Sequence, residues 1–393
     1  MKICMLTTSY PRFKGDYAGI FVHNLAKELV KQGTKVSVLA PHDVETKDYE
    51  VIDGVEILRF KYWFTKQSQK LTYGEGMSNN FNNSFLAKIQ LPFLLLFLFI
   101  KSLKITKSYD IIHAHFLPVG LPAIFIKKIS KKKVVITVHG SDILTIPRNQ
   151  LIKKIYIGLI KHSDHIIAVS NANKKKLIEL GFKEDMIFVI PNGIYLYELK
   201  NVKNPKKKKD ETKIVWTGRM VEIKGLKNLI KAMKIVVTSY PDSKLALIGD
   251  GPLKNNLMNL SEDLCLKENI DFIGYVKNEA ILEYLENSDI FVLPSTFEGF
   301  GISALEAMNC SKPIIGSNIG GIVDIIEDKK NGLLVEPENH QQLAEKICYL
   351  IEHPVDRIRM GKEGRKIAEK NFTWEKIAGK TFELYSKLLK NSS

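Results

Sequence analysis

Short apolar runs alternate with amphipathic stretches along most of the chain. The run KICMLTT at 2–8 predicts a buried strand. A loop with Gly15 and Gly19 follows, then a helix over 20–32 that Gly33 ends. KVSVLAP is the next strand, completing a β-loop-α-β unit. VEILRF, DIIHAHF, VVITVHG, HIIAVS and MIFVIPNG continue the series, with helical stretches between them that include 85–107 and 171–181. Such alternation predicts a parallel sheet covered on both faces, through about residue 195. The stretch 198–212 is polar, contains Pro205 and four consecutive lysines, and reads as a linker. A second series then begins: IVWTG, a helix to 239, KLALIGDG, a helix from 253, IDFIGYV, a helix over 278–287, DIFVLPS, a helix from 300, KPIIGSN and GLLVEP. Two or three helices end the chain, and the last places Ile377, Leu384, Tyr385 and Leu388 on one face.

The expected fold is therefore α/β, with two Rossmann-like domains in tandem: 1–197 and 213–372, joined by the linker 198–212. At 393 residues, two domains also suit the length. No GxGxxG fingerprint follows the first strand, so an ordinary dinucleotide site is not expected. The cleft between two such domains is the default place for a ligand.

Charge adds an asymmetry. The formal net charge is +15, and counting along the sequence puts +13 of it in residues 1–192. This excess fits either a polyanionic partner or a lysine-rich composition that serves solubility. Nucleic acid is not expected as that partner. There is no helix-turn-helix, zinc-finger or RNP signature, and no aromatic residues are interleaved with the basic ones. The apolar run 89–100, broken only by Gln90 and Pro92, leads into Lys101, Lys104 and Lys107. Taken as a run it is shorter than the ~20 residues that cross a bilayer. It reads either as an interfacial segment meeting anionic headgroups or as a core helix with a basic exit. The N-terminal stretch does not read as a signal peptide. Cys4, Cys265, Cys310 and Cys348 are far apart and lack zinc-ligand spacing, so no disulfide framework or zinc site is expected, and the usage suits a reducing compartment.

Two segments carry candidate chemistry. In the first, a strand ending at Pro294 is followed by a loop with Glu298, Gly299, Phe300 and Gly301, and then by a helix with Glu306. A helix N-terminus with exposed N–H groups attracts phosphate, and two carboxylates beside it suit the hydroxyls of a sugar or ribose. In the second, Arg219 and Lys224 lie between a strand end at Thr217 and the next helix. Both are placed to meet a diphosphate through charge-assisted hydrogen bonds. For each segment the alternative is an ordinary solvated helix start. His113 and His115 at a strand end are candidates for the site or hydrogen-bonded structural residues.

Together, GRMVEIKG at 218–225, GDGP at 249–252 and Glu298-x7-Glu306 resemble the retaining glycosyltransferases of family 4, which have the GT-B fold. The N-terminal SYPRFKGDYAGIFVHNLAKEL, HAH at 113–115, HGSD at 139–142, VSN and PNG are also similar. The resemblance implies two facing Rossmann-like domains, with the terminal helix (373–393) crossing back to the first. It implies a nucleotide diphosphate sugar as donor, UDP before GDP, with no cofactor and no metal, since an Asp-x-Asp motif is lacking. Glu306 is then expected on the ribose and Glu298 on the transferred sugar. Gly299, Phe300 and Gly301 pack near sugar and phosphate. Arg219 and Lys224 neutralise the leaving diphosphate. His139 lies beside the donor sugar, Gly19 at the phosphate, and Tyr275 and Val276 near the base. Asp142 and His115 are expected near the acceptor. In this fold the first domain takes the acceptor. Its basic, apolar character points to a lipid-linked or glycolipid acceptor in cell-surface polysaccharide assembly, with a cytoplasmic enzyme peripheral on the inner face of the membrane. The rivals are a soluble transferase acting on a small molecule, a nucleotide-sugar epimerase and a non-enzymatic membrane scaffold.

Overall fold

A computed structural model describes residues 1–74, 77–147, 149–198 and 211–390. Of the expected linker, 199–210 lie outside the described residues. The chain divides into two compact units: Met1–Asn192 with Trp374–Ser393, and Gly193–Thr373.

In the first unit the chain runs β1 (Lys2–Leu6), α1 (Ile20–Lys31), β2 (Lys35–Pro41), β3 (Tyr49–Ile52), β4 (Val55–Phe60), α2 (Met77–Asn83), α3 (Phe85–Ile105) and β5 (Ile111–His115). It continues with α4 (Leu117–Ser130), β6 (Lys133–Val138), α5 (Gln150–Ile160), β7 (His165–Ala168), α6 (Asn171–Glu179) and β8 (Ile187–Val189). The sheet order is β3-β4-β2-β1-β5-β6-β7-β8, and only β3 is antiparallel. Strand β3 is absent from the sequence reading. Its four residues are mostly exposed, so no apolar run marks it. The marker is the two-residue turn Asp53-Gly54, with φ 52° and 78°, a pairing of residue types that favours tight hairpins.

Each strand of this sheet except the edge strand β3 feeds two cores. Cys4, Leu6, Ile112 and Ile136 pack with Leu94, Leu98, Ile124 and Ile160 from α3, α4 and α5. Ile3, Met5, Val38 and Ile111 point the other way, toward α1 and a terminal helix that follows the second unit. That alternation is the period of two of a strand buried on both faces.

The second unit runs β9 (Lys213–Thr217), α7 (Leu226–Ser239), β10 (Lys244–Ile248), α8 (Lys254–Asp263), β11 (Ile270–Gly274), α9 (Asn278–Glu286) and β12 (Ile290–Leu293). Then come α10 (Ile302–Asn309), β13 (Ile314–Ser317), β14 (Gly332–Val335), α11 (His340–Glu352) and α12 (Pro354–Asn371). All six strands are parallel, in the order β11-β10-β9-β12-β13-β14. Residues 193–197, expected in the first domain, side with this unit. Asn309 binds the backbone of Tyr195 and Tyr197, and Arg365 donates to the Tyr197 carbonyl. Helix α13 (Trp374–Lys390) returns to the first unit. It buries the expected Ile377, Leu384, Tyr385 and Leu388 in the core it shares with α1.

The GDGP segment has a packing reason. Gly249 has φ 130°, and a Cβ there would stand 1.8 Å from the Gly218 carbonyl oxygen. The turn after β10 thus rests directly on the loop that carries Arg219, and Met220 donates to the Asp250 carbonyl. Gly249→Ala is expected to destabilise the second unit by about 2–3 kcal/mol. Denaturant unfolding followed by Trp216 fluorescence measures it.

Candidate functional site

In the second unit the strand order reverses between β9 and β12. Ligands of doubly wound sheets bind at such a point, outside the strand carboxyl ends. The two candidate segments meet there. Thr296 donates its N–H to the Ile223 carbonyl at 2.8 Å, tying the loop after β12 to the loop after β9. Lys224 Nζ then lies 2.6 Å from Glu298 Oε2, with side chains 22% and 13% exposed. An ammonium so placed keeps two further donors, so it can hold Glu298 and an anion together. Arg219 is half-buried on the same loop. The Glu298 carbonyl accepts from Gly321 N–H at 3.0 Å, which fixes the loop backbone.

Helix α10 starts at Gly301, with φ 103° and no side-chain cap. Its first-turn N–H groups are thus not closed off by a capping side chain, and the helix dipole favours an anion there. Phe300 is buried, with its ring 5.8 Å from that of Phe372. Glu306 is half-buried on α10 with no partner for its carboxylate among the described residues. Burial pushes that carboxyl up to about 7. A carboxylate held without donors is ready to accept hydrogen bonds from hydroxyls.

Tyr275 follows β11 and is exposed. Val276, expected beside the base, lines a groove of about 660 Å³ between α9 and strands β9, β10 and β11. That groove is framed by Lys213, Lys244 and Asp271 from the starts of the strands. Its lining also reaches Ile273 near the carboxyl end of β11, so the groove runs along the sheet beside α9, whereas Glu298 follows β12 at the reversal of strand order.

In the first unit the order reverses between β1 and β5. Gly19, the left-handed N-cap of α1, has φ 64°, and a Cβ there would come 2.1 Å from the Ser9 carbonyl oxygen. His115 ends β5 and His139 follows β6. His115 Nδ1 and His139 Nε2 are 3.2 Å apart. The rings of Phe21 and Phe116 stand 4.6 and 4.8 Å from that of His139. Burial lowers both imidazoles, His115 to about 3. Both are neutral at pH 7, so one proton lies between them. His139 Nδ1 and His115 Nε2 are buried and unpartnered. Whichever ring donates, one of those two atoms carries a proton and the other is bare. The pair therefore holds one protonated and one bare ring nitrogen at its two far ends.

Asp142 is buried, and its Oδ2 accepts from Leu117 N–H at 2.9 Å, at the start of α4. Burial raises its carboxyl to about 6, against backbone N–H groups that lower it. His113 resolves as a structural residue. It is buried between Thr137 Oγ1 at 2.6 Å and the Tyr385 hydroxyl at 2.5 Å. Tyr385→Phe strands His113 Nδ1, at an expected cost of about 1–3 kcal/mol. Urea denaturation measures this loss, and nucleotide binding is expected to be unchanged.

The aromatic walls Phe21 and Phe116 are missing from the sequence reading. Phe116 has φ 75°, a strained value for a side chain of that size, and no residue-type signal announces it. Among the described residues, no three His, Cys, Asp or Glu side chains gather as metal ligands would.

Residues 18–197 match the family model described as Glycosyltransferase Family 4, and residues 198–367 match the one described as Glycosyl transferases group 1. An uncharacterized glycosyltransferase of Methanocaldococcus jannaschii is 32% identical, over 72% of this chain and 77% of its own. The chain belongs to glycosyltransferase family 4. This glycosyltransferase is 32% identical, over 41% of its length and 44% of the relative's, to a GDP-mannose-dependent monoacylated alpha-(1-6)-phosphatidylinositol monomannoside mannosyltransferase of Corynebacterium glutamicum. Its fold is that of Anabaena HepE in complex with UDP-glucose (TM-score 0.76, 20% identity, 98% of this chain and 100% of the other). The glycosyltransferase is thus a GT-B enzyme that transfers a glycosyl group.

Proposed function

We propose that the enzyme moves a sugar, with retention of anomeric configuration, from a nucleotide diphosphate sugar to a lipid-linked or glycolipid acceptor in cell-surface polysaccharide assembly. The observation that carries the donor half is the Lys224–Glu298 pair beside the uncapped start of α10, with Glu306 further along the same helix. UDP is the first candidate nucleotide, supported by the UDP-glucose held by Anabaena HepE. GDP is the second, supported by the mannosyltransferase named above.

In this reading Glu306 accepts from the ribose hydroxyls and Glu298 from hydroxyls of the sugar. As the C1–O bond breaks, positive charge grows on the sugar ring and negative charge on the diphosphate. Lys224, Arg219 and the first N–H groups of α10 stabilise that leaving group. The acceptor oxygen bonds to C1 on the face the phosphate leaves, and a departing phosphate oxygen takes its proton. By family resemblance His139 is assigned to the donor sugar, Gly19 to the phosphate, and Asp142 and His115 to the acceptor. No step calls on a bound metal.

The acceptor half rests on the first unit. Helix α3 has 21 residues, longer than the run 89–100 alone, and together with the turn after it is long and apolar enough to cross a membrane. Yet Ala87, Gln90, Leu94, Leu98 and Ser102 on one face are buried, and Gln90 bonds to Lys70 N–H and the Ser68 carbonyl. The other face exposes Phe93, Leu96, Phe97 and Ile100. The buried face is that of a core helix, and the exposed face supports the interfacial reading of 89–107. A helix half committed to its own core lies on a membrane, on the cytoplasmic face in this reading, and does not span it.

Incubation of the protein with UDP- and GDP-sugars and a membrane lipid extract, with and without EDTA, tests the proposal. Label is expected in the lipid fraction for one donor, undiminished by EDTA. Label in small water-soluble products alone contradicts the acceptor.

A further inference from the structure

We infer that α4 and α5 extend the exposed face of α3 into one three-helix platform that docks on an anionic phospholipid surface. This rests on the reading above that the enzyme works at a membrane, and it assigns the contact to two helices the sequence did not single out. Three observations carry it.

The first is exposure. Helix α4 shows Phe125 and Ile129, the latter 64% exposed, and α5 shows Leu151, Ile152 and Ile155 at 68%, 54% and 56%. Helix α4 packs against both α3 and α5. The Phe99 and Phe125 rings, 6.3 Å apart, bridge α3 and α4. Helix α13, on the opposite face of the same sheet, is the internal comparison. Its exposed positions are Glu375, Lys376, Lys380, Glu383, Lys387 and Lys390, with no large apolar side chain among them. An ordinary solvated helix of this protein therefore looks different.

The second is charge. The sequences of α3, α4 and α5 contain lysines and not one Asp or Glu. Lys101, Lys104, Lys128 and Lys154 are exposed beside the apolar side chains. Lys128 Nζ lies over the Phe125 ring, 6.0 Å from its centre, so positive charge and apolar surface stand together. Bulky apolar side chains ringed by lysines match acyl chains below anionic headgroups.

The third decides between occupants. A second copy docked on this face about a twofold axis sets lysine against lysine with no acid to offset it. Charge complementarity therefore selects anionic lipid over self-association.

Flotation of the full chain with phosphatidylcholine vesicles, and with vesicles of phosphatidylcholine and phosphatidylglycerol, tests the inference. UDP titration and circular dichroism check that each variant is folded. The wild type is expected to float with anionic vesicles and far less with neutral ones. Ile129→Glu, Leu151→Glu and Ile155→Glu together are expected to lower anionic-vesicle partition at least tenfold, with UDP affinity unchanged. Lys128→Glu with Lys154→Glu, which leaves the apolar face intact, is expected to lose binding to the anionic vesicles by about tenfold. If the α4–α5 variants float like the wild type while Phe93→Glu with Phe97→Glu does not, α3 is the whole contact and the platform is overturned. If the wild type floats with neither vesicle, the membrane reading itself falls. If the wild type fails to float but self-associates, and the triple variant does not self-associate, the face is a protein interface and the inference is wrong.

Discussion

Replacing Glu306 by Gln is expected to lower nucleotide affinity about 100-fold and, at the same time, to raise the melting temperature of the free protein at pH 8. The two effects share one cause. The Glu306 carboxyl is held near 7 by burial, well above its ordinary 4.5. A group raised in the folded state binds more protons there than in the unfolded chain. Its contribution to stability is therefore full below about pH 4.5 and is lost as pH rises through 7. At pH 8 the folded protein carries a half-buried carboxylate without a partner. Glutamine removes that charge and its cost. In the proposed function a bound ribose offsets the same cost by donating to the carboxylate, and hydrogen bonds to charged acceptors are the strong ones, about 1.5–3 kcal/mol each. Binding prefers the ionised form, so affinity should rise roughly tenfold between pH 6 and pH 8. Binding near pH 7 should release protons, seen as a buffer-dependent calorimetric heat. Glu306→Gln should abolish both signatures. A variant that is less stable at pH 8, or a pH-independent affinity in the wild type, sinks this account of Glu306.

The second large effect belongs to Lys224. Lys224→Ala is expected to lower kcat by about 100- to 1000-fold, with a smaller change in KM, because the charge it meets grows as the leaving group departs. The variant also leaves Glu298 without the ammonium now 2.6 Å away. An unpaired carboxylate beside a diphosphate then repels the donor. Glu298→Gln should likewise be slow, through the sugar hydroxyls it can no longer hold. Because the two side chains act as a pair, the double variant is expected to be little worse than the worse single one. Steady-state kinetics of the three variants test this. Fully additive losses would mean that the pair seen in the free protein has no part in catalysis.

Much of this was legible in the sequence because the determinants are local. Thirteen of the fourteen strands among the described residues lie on the apolar runs. The loops with Arg219, Lys224 and Glu298 follow strand ends whose termination is marked by Gly or Pro. The pairing of Lys224 with Glu298 was not legible, since it joins residues 74 apart through the reversal of strand order. Nor was the fate of His113 against that of His115. Both lie on β5 two residues apart, and what separates them is a hydroxyl from α13, 272 residues away, that captures His113 alone. The edge strand β3 has too little burial to leave a pattern. The run 89–100 left two readings open because a helix apolar nearly all round does not say which side its own core will take. The two-unit boundary shifted to Gly193 because Asn309 and Arg365 hold the chain that follows it.

The central claim is sugar transfer with retention, driven by fixed cations and helix N–H groups. The most direct measurement is the anomeric configuration of the glycosidic bond in the product, read by NMR from a reaction run in EDTA with the donor that labels the lipid fraction. The account predicts the same configuration as in the nucleotide sugar. An inverted linkage, or a reaction that stops in EDTA and returns with a divalent cation, would contradict it.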